Sequence, residues 1–153
     1  MEGRIFQLNR SGGGVPKLGV REAFVDANGL EGDRQRYLRF HGGPERALCL
    51  FPLELILKLQ AEGHPVFPGS LGENVTVAGL EWSRVEPGSR LSLGDEALVE
   101  MTSYTVPCKT ITASFADGNF KRISQKVRPG ESRLYARVLR PGRVVVGDSV
   151  KLL

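Results

Sequence analysis

Two cysteines, Cys49 and Cys108, two histidines, His41 and His64, and a set of dispersed arginines are the residues best suited to chemistry. Cys108 follows Pro107, whose missing N–H removes a ladder hydrogen bond, so the thiol is expected at a strand end or sheet edge. Lys109 and other nearby basic residues could favour the thiolate, the form that attacks electrophiles and binds soft metals, although sequence neighbours on a strand point to opposite faces. The alternative is a small buried hydrophobe, and Cys49, inside the apolar run Ala47-Leu48-Cys49-Leu50-Phe51, reads as one.

His41-Gly42-Gly43-Pro44 forms a turn in which two glycines permit positive φ. Successive backbone N–H groups could then converge on an anion while the imidazole supplies a donor or a proton, although a plain tight turn fits equally well. No second histidine lies at metal-ligand spacing, which argues against zinc, and His64, between Gly63 and Pro65, reads as an exposed loop residue. Gly72-Glu73-Asn74 sets a carboxylate and an amide at the mouth of a strand, able to bond a heterocycle edge or simply to cap a turn. Arg34, Arg36, Arg46, Arg133 and Arg137 each offer forked donors to a phosphate, or stand solvated. The glycine run Ser11–Gly14 lacks the Lys and Ser/Thr of a phosphate loop and reads as a hairpin connection.

The elements that must position these residues are mostly strands. Arg4–Leu8, Val20–Phe24, Asn74–Val77, Arg90–Leu93, Ala97–Ser103, Thr110–Phe115, Tyr135–Leu139, Val144–Val146 and Ser149–Leu152 are short β-type runs separated by Gly, Pro or Asp. Leu53–Ala61 carries apolar residues at helical spacing, starts after Pro52 and stops before Gly63, and is read as a helix. Two stretches, 87–95 and 141–148, share the order Pro-Gly, strand, Gly-Asp, and each reads as a hairpin. The polar stretch Gly118–Glu131 is expected to be the most mobile excursion, with a short helix in it.

With 19 Gly and 9 Pro in 153 residues, the composition favours a turn-rich, mainly β barrel or sandwich. The length suits a single domain spanning 1–153. Two cysteines make no disulfide framework, and neither a signal pattern nor an apolar span is visible, so a cytoplasmic protein is expected. The net charge of +4 suits a phosphorylated small ligand better than nucleic acid, because aromatics are 7% and the basic residues show no stripe.

Gly29-Leu-Glu-Gly-Asp33-Arg34, His41-Gly-Gly-Pro-Glu-Arg46, Gly69-Ser-Leu-Gly-Glu73-Asn74, Pro107-Cys108 and Tyr135-Ala-Arg137-Val together resemble the MOSC domain, named for the C-terminal domain of molybdenum cofactor sulfurase. The resemblance runs from about Val20 to the end. It implies a MOSC-type β-barrel with a few peripheral helices and binding of the molybdenum cofactor, molybdopterin. It implies Cys108 as the molybdenum thiolate ligand of an oxidoreductase reducing N-hydroxylated compounds, or as the persulfide site of a non-catalytic sulfur carrier. Carried over residue by residue, His41, Gly42 and Gly43 would line the cofactor pocket and Glu73 and Asn74 would meet the pterin edge. Arg34, Arg46 and Arg137 would serve its phosphate or hold the pocket together.

The larger cofactor-binding relatives carry an additional N-terminal β-barrel region, so this chain is expected to close its site by dimerising or to hand over sulfur alone. The partners expected are a small-molecule substrate and a cysteine desulfurase or a separate electron-transfer protein. No iron–sulfur or flavin motif is present, and no pyridoxal phosphate is expected in this chain, because no Schiff-base lysine in a dedicated phosphate-binding fold is recognisable.

Overall fold

The computed structural model describes residues 1–34 and 43–153. The chain starts with β1 (Glu2–Arg10) and turns back through the Gly-rich connection into β2 (Leu18–Val20), β3 (Glu22–Asp26) and β4 (Gly29–Leu30). There follow β5 (Leu48–Pro52), helix α1 (Leu53–Ala61), β6 (Val75–Ala78), β7 (Arg90–Leu93), β8 (Ala97–Tyr104), β9 (Leu134–Arg140), β10 (Gly142–Val145) and β11 (Ser149–Leu152). Seven strands close a barrel in the order β1-β11-β7-β8-β9-β5-β6 and back to β1. Strand β1 is long enough to give residues 2–4 to β11 and residues 8–10 to β2, on top of its pairing with β6. Only β5 and β6 run parallel among the described pairs, and α1 lies in the crossover that a parallel pair requires.

Alternation along the strands fills the barrel with side chains. Ile5, Leu8, Leu48, Leu50, Val75, Val77, Leu91, Leu93, Val99, Met101, Leu134, Ala136 and Val150 belong to one buried cluster. The lumen is therefore a packed core, and functional side chains must sit on the outer wall or at the rims. A second apolar cluster, with Phe51, Ile56, Leu59, Val66, Leu71, Ile111, Phe115 and Ile123, packs α1 and the long β8–β9 connection against that outer wall.

The mainly β barrel is as expected, but four local readings need correction. The run Thr110–Phe115 is not a strand: Lys109–Ser114 is 3₁₀-helical, and its buried residues Ile111 and Phe115 stand four apart rather than two. The Val20–Phe24 run breaks at Arg21, passing the chain from the barrel (β2) to a separate three-stranded sheet, β10-β3-β4. The second Gly-Asp turn makes no hairpin. Its flanking strands β10 and β11 pair elsewhere, with β3 and with β7 and β1, while Asp148 ties the corner through its bond from the Val145 N–H at 2.9 Å. His64 is half-buried, its Nδ1 accepting the Ala116 N–H at 3.1 Å and its ring meeting Phe115 edge-on. By contrast the first Gly-Asp turn does close the β7–β8 hairpin, and α1, β7 and β11 have the expected bounds.

The β8–β9 connection is pinned to the end of α1 by one guanidinium. Arg122 Nε and Nη2 bond Glu62 at 2.8 and 2.7 Å, and Nη2 also bonds Glu131 at 2.9 Å, while Lys58 of α1 reaches Glu131 at 3.0 Å. Those bonds hold the Glu62 carboxyl at a pKa of about 2. Hydrogen bonds to charged groups contribute about 1.5–3 kcal/mol each, less where the partner can hydrate, so Arg122→Met should lower stability by about 2 kcal/mol. Urea unfolding will give that loss, and hydrogen exchange should rise first within residues 109–131.

Candidate functional site

The loop that carries Cys108 is rooted in the sheet. Past the end of β8, the Thr105 N–H still donates to Arg133 O at 2.9 Å, extending the β8–β9 ladder by one residue. Val106 then faces solvent, Pro107 is buried, and Cys108 is extended (φ −137°, ψ 174°) at the start of the 3₁₀ segment, where its carbonyl accepts the Ile111 N–H. Cys108 is half-buried, and its Sγ lies 2.9 Å from Thr110 Oγ1. The two groups are within hydrogen-bonding reach, and either can donate. The expected position near a strand end is what the structure shows.

Beneath this loop lies the outer face of β9 and β5. Leu134 and Ala136 point into the barrel, so Tyr135 and Arg137 point out, and Tyr135 stands opposite Cys49 in the β5–β9 register. Arg46, from the 3₁₀ turn Pro44–Arg46, places its guanidinium 5.4 Å from the Tyr135 ring centroid. Burial drives the Tyr135 hydroxyl above its ordinary range, and the sulfurs of Cys49 and Cys108 add to this while Arg133 and Arg46 oppose it. Tyr135 thus stands among both cysteines and two arginines as a neutral phenol.

Cys49 is buried, as expected, with Sγ 3.7 Å from Thr105 Oγ1, and burial pushes its thiol up, against the pull of Arg133. Arg133 is itself buried: Nη1 donates to Leu71 O at 2.6 Å, and Nε has no hydrogen-bond partner among the described residues. Arg137 bonds Glu100 on β8 and lies 3.7 Å from Glu45, with Nε unpartnered among the described residues.

The remaining sequence-derived candidates separate into three groups. Gly43 is exposed at the start of the Pro44–Arg46 turn with φ 94°, a conformation suited to glycine. His41 and Gly42 lie outside the described residues. Glu73 and Asn74 are fully buried behind Cys49. The Asn74 side chain accepts the Cys49 N–H at 3.0 Å and donates to Asp33 at 2.8 Å and Asn9 O at 3.3 Å. Its amide therefore stitches β1, β5 and the Asp33 turn together. Arg34 is exposed, and among the described residues its main-chain N–H donates to Ser11 O at 2.9 Å.

Sequence reading missed the buried pair behind this wall. Lys17 Nζ lies 2.6 and 2.7 Å from the two Asp33 oxygens, both side chains at most 5% exposed. Asp33 also receives the Ser11 N–H and the Asn74 amide, so it fixes the turn leading toward residue 35. The one local signal was Asp33 inside the Gly29–Arg34 motif, and nothing in the sequence links it to Lys17. Among the described residues no three His, Cys, Asp or Glu side chains gather as a metal cage.

A closed seven-strand barrel with a half-buried thiol at the start of the β8–β9 connection defines the class of protein. The MOSC domain model matches residues 37–151, and the chain belongs to the MOSC domain family. Among its relatives are YflK, an uncharacterized protein of Bacillus subtilis, 36% identical over 81% of this chain, and YiiM of Escherichia coli, 30% identical over 86%. The chain spans 55% and 59% of the length of these two proteins. A protein of Gibberella moniliformis named reductase is 28% identical over 85% of this chain, which covers 23% of that protein. The crystal structure of Escherichia coli YiiM superposes with a TM-score of 0.72 at 28% identity, covering 98% of this chain and 69% of that one. No helix among the described residues is long and apolar enough to cross a membrane.

Proposed function

We propose that this MOSC protein binds the molybdenum cofactor through Cys108 and reduces N-hydroxylated small molecules. The observation that carries the reading is the thiol itself: a soft, half-buried sulfur beside a hydroxyl, with the Arg46 guanidinium over the same wall. The donor set fits the group. One protein thiolate is too few to hold a bare ion, yet it suits a metal that arrives with most of its ligands supplied by a pterin dithiolene. Kinship to a fungal protein named reductase supports the redox side of the reading.

When bound, the cofactor supplies two-electron oxygen-atom chemistry. The chain's own residues do the rest. Cys108 would hold the metal, with the Thr110 hydroxyl 2.9 Å from its sulfur to orient it. Arg46 and Arg137, at the edge of the same wall, would meet the cofactor phosphate, and neutral Tyr135 would offer a hydroxyl donor without adding negative charge. Glu73 and Asn74 would act from behind by fixing β5. A cysteine desulfurase or an electron-transfer protein would serve the site from outside.

The test is molybdenum and pterin content per chain after expression in a host that makes the cofactor. Wild type and Cys49→Ala should carry near-stoichiometric metal, and Cys108→Ser should retain about a tenth or less, as expected when the sole soft ligand is removed. Reduction of an aromatic hydroxylamine should follow the same ranking. Wild type lacking both metal and pterin overturns the reading, and cyanide-releasable sulfur on Cys108 would then identify a persulfide carrier.

A further inference from the structure

The chain's net charge of +4 is unevenly spread. Between 109 and 131, five basic residues (Lys109, Lys121, Arg122, Lys126, Arg128) face two acidic ones (Asp117, Glu131), which leaves +1 for all the rest. This stretch makes up most of the β8–β9 connection that carries Cys108. Its two roots, Tyr104 and Leu134, are paired in the barrel. The surplus therefore stands on the connection that carries the half-buried thiol.

These cations are not consumed within the fold. Arg122 is the exception, buried against Glu62 and Glu131, and Arg128 lies near enough to help hold the Glu62 carboxyl ionised. Lys109, Lys121 and Lys126 are exposed and join no ion pair among the described residues, whereas Lys58, Arg90 and Arg137 elsewhere do. Val106 and Val127 stand 77% and 56% exposed among them, apolar spots within a positive field. The connection, read from sequence as mobile over Gly118–Glu131, is instead preorganised, since Ile111, Phe115 and Ile123 pack under it and Arg122 clamps it to α1. A rigid, basic surface with apolar spots and no exposed aromatic for base stacking suits a protein partner better than a nucleic acid.

We propose that residues 106–128 form a docking surface for an acidic protein that serves the Cys108 site. The inference rests on the reading of Cys108 as the working thiol, but its test needs no metal. A charge-steered partner would be brought to the thiol quickly and held loosely, which suits repeated delivery.

The probe is poly-L-glutamate of about 20 residues, titrated at about 20 mM and about 300 mM salt while amide resonances and the rate of Cys108 alkylation by iodoacetamide are followed. Shifts should gather in residues 106–128, alkylation should slow several-fold on saturation, and affinity should fall about tenfold at the higher salt. Lys121→Glu with Lys126→Glu should weaken binding by about tenfold, and Arg143→Glu with Lys151→Glu, on β10 and β11, should not. Equal losses from both pairs, or shifts spread over the molecule, overturn the proposal. So does tighter binding of a 20-mer oligothymidylate to the same residues, which would make the surface a nucleic-acid site. Metal content is measured separately, so a failed cofactor reading and a failed docking surface give different results.

Discussion

Replacing Asp33 by alanine should lower the free energy of unfolding by about 3–5 kcal/mol, a large fraction of the total for a domain of this size. Lys17 is 3% exposed and both Asp33 oxygens lie within 2.7 Å of its ammonium, so the variant would keep a buried cation with no anion beside it. The Asn74 amide and the Ser11 N–H would lose their acceptor in the same step. Desolvation makes the pair a modest net contributor when intact and an expensive one when halved. Lys17→Met combined with Asp33→Ala should therefore recover the part due to the unpaired ammonium and leave the part due to the two orphaned donors, and a urea-based double-mutant cycle checks this. A loss below about 1 kcal/mol for Asp33→Ala would mean that water reaches the ammonium.

How far such effects could be read from the sequence depends on their range along the chain. Leu53–Ala61 was legible because helix spacing and its punctuation, Pro52 before and Gly63 after, all lie within a dozen residues. β7 and β11 were legible from alternation bounded by Gly-Asp or the chain end. β5 was not, because Leu48–Pro52 is buried on both faces, against the barrel core on one side and the α1 layer on the other, and so shows no alternation. The second Gly-Asp turn misled because its local chemistry is that of a hairpin, and only pairing with β3 and β7 sends its two arms to different sheets.

The site divides in the same way. Cys108 could be found because a proline before a cysteine has a local meaning. Arg46 and Arg137 were two of five candidate arginines with no sequence signal to join them, and what unites them is the outward face of β9, which puts Tyr135 between an arginine and two sulfurs. Lys17 with Asp33, and Arg133 with the carbonyl of Leu71, are joined by folding across 16 and 62 residues and leave no periodic trace. The expectation that Glu73 and Asn74 sit at a strand mouth was near the mark in position. Both lie inside the wall, where Asn74 acts on β5 through the Cys49 N–H.

Glu73 should make this protein less stable as pH rises from 4.5 to about 7. Its carboxyl is fully buried and its pKa is raised to about 7, chiefly by desolvation, with the main-chain amides of Gly69 and Glu73 and the Thr76 hydroxyl pulling only partly back. Oε2 takes the Thr76 bond at 3.1 Å, and Oε1 has no partner in hydrogen-bond geometry among the described residues. Below the ordinary value of 4.5 the group is protonated in both states and nothing depends on pH. Between 4.5 and about 7 the unfolded chain gives up its proton first, so stability falls, and above that window the full difference of about 3 kcal/mol persists. Glu62 works the other way and in a separate range, because its lowered value withdraws stability only as pH drops from 4.5 toward about 2. Glu73→Gln should flatten the slope above pH 5, leaving the variant the more stable protein at about pH 8. Urea midpoints at about pH 5 and about pH 8 decide it. If the variant keeps the wild-type slope, another group carries the titration, and Glu73 is ionised inside the wall with Arg133 as its counter-charge.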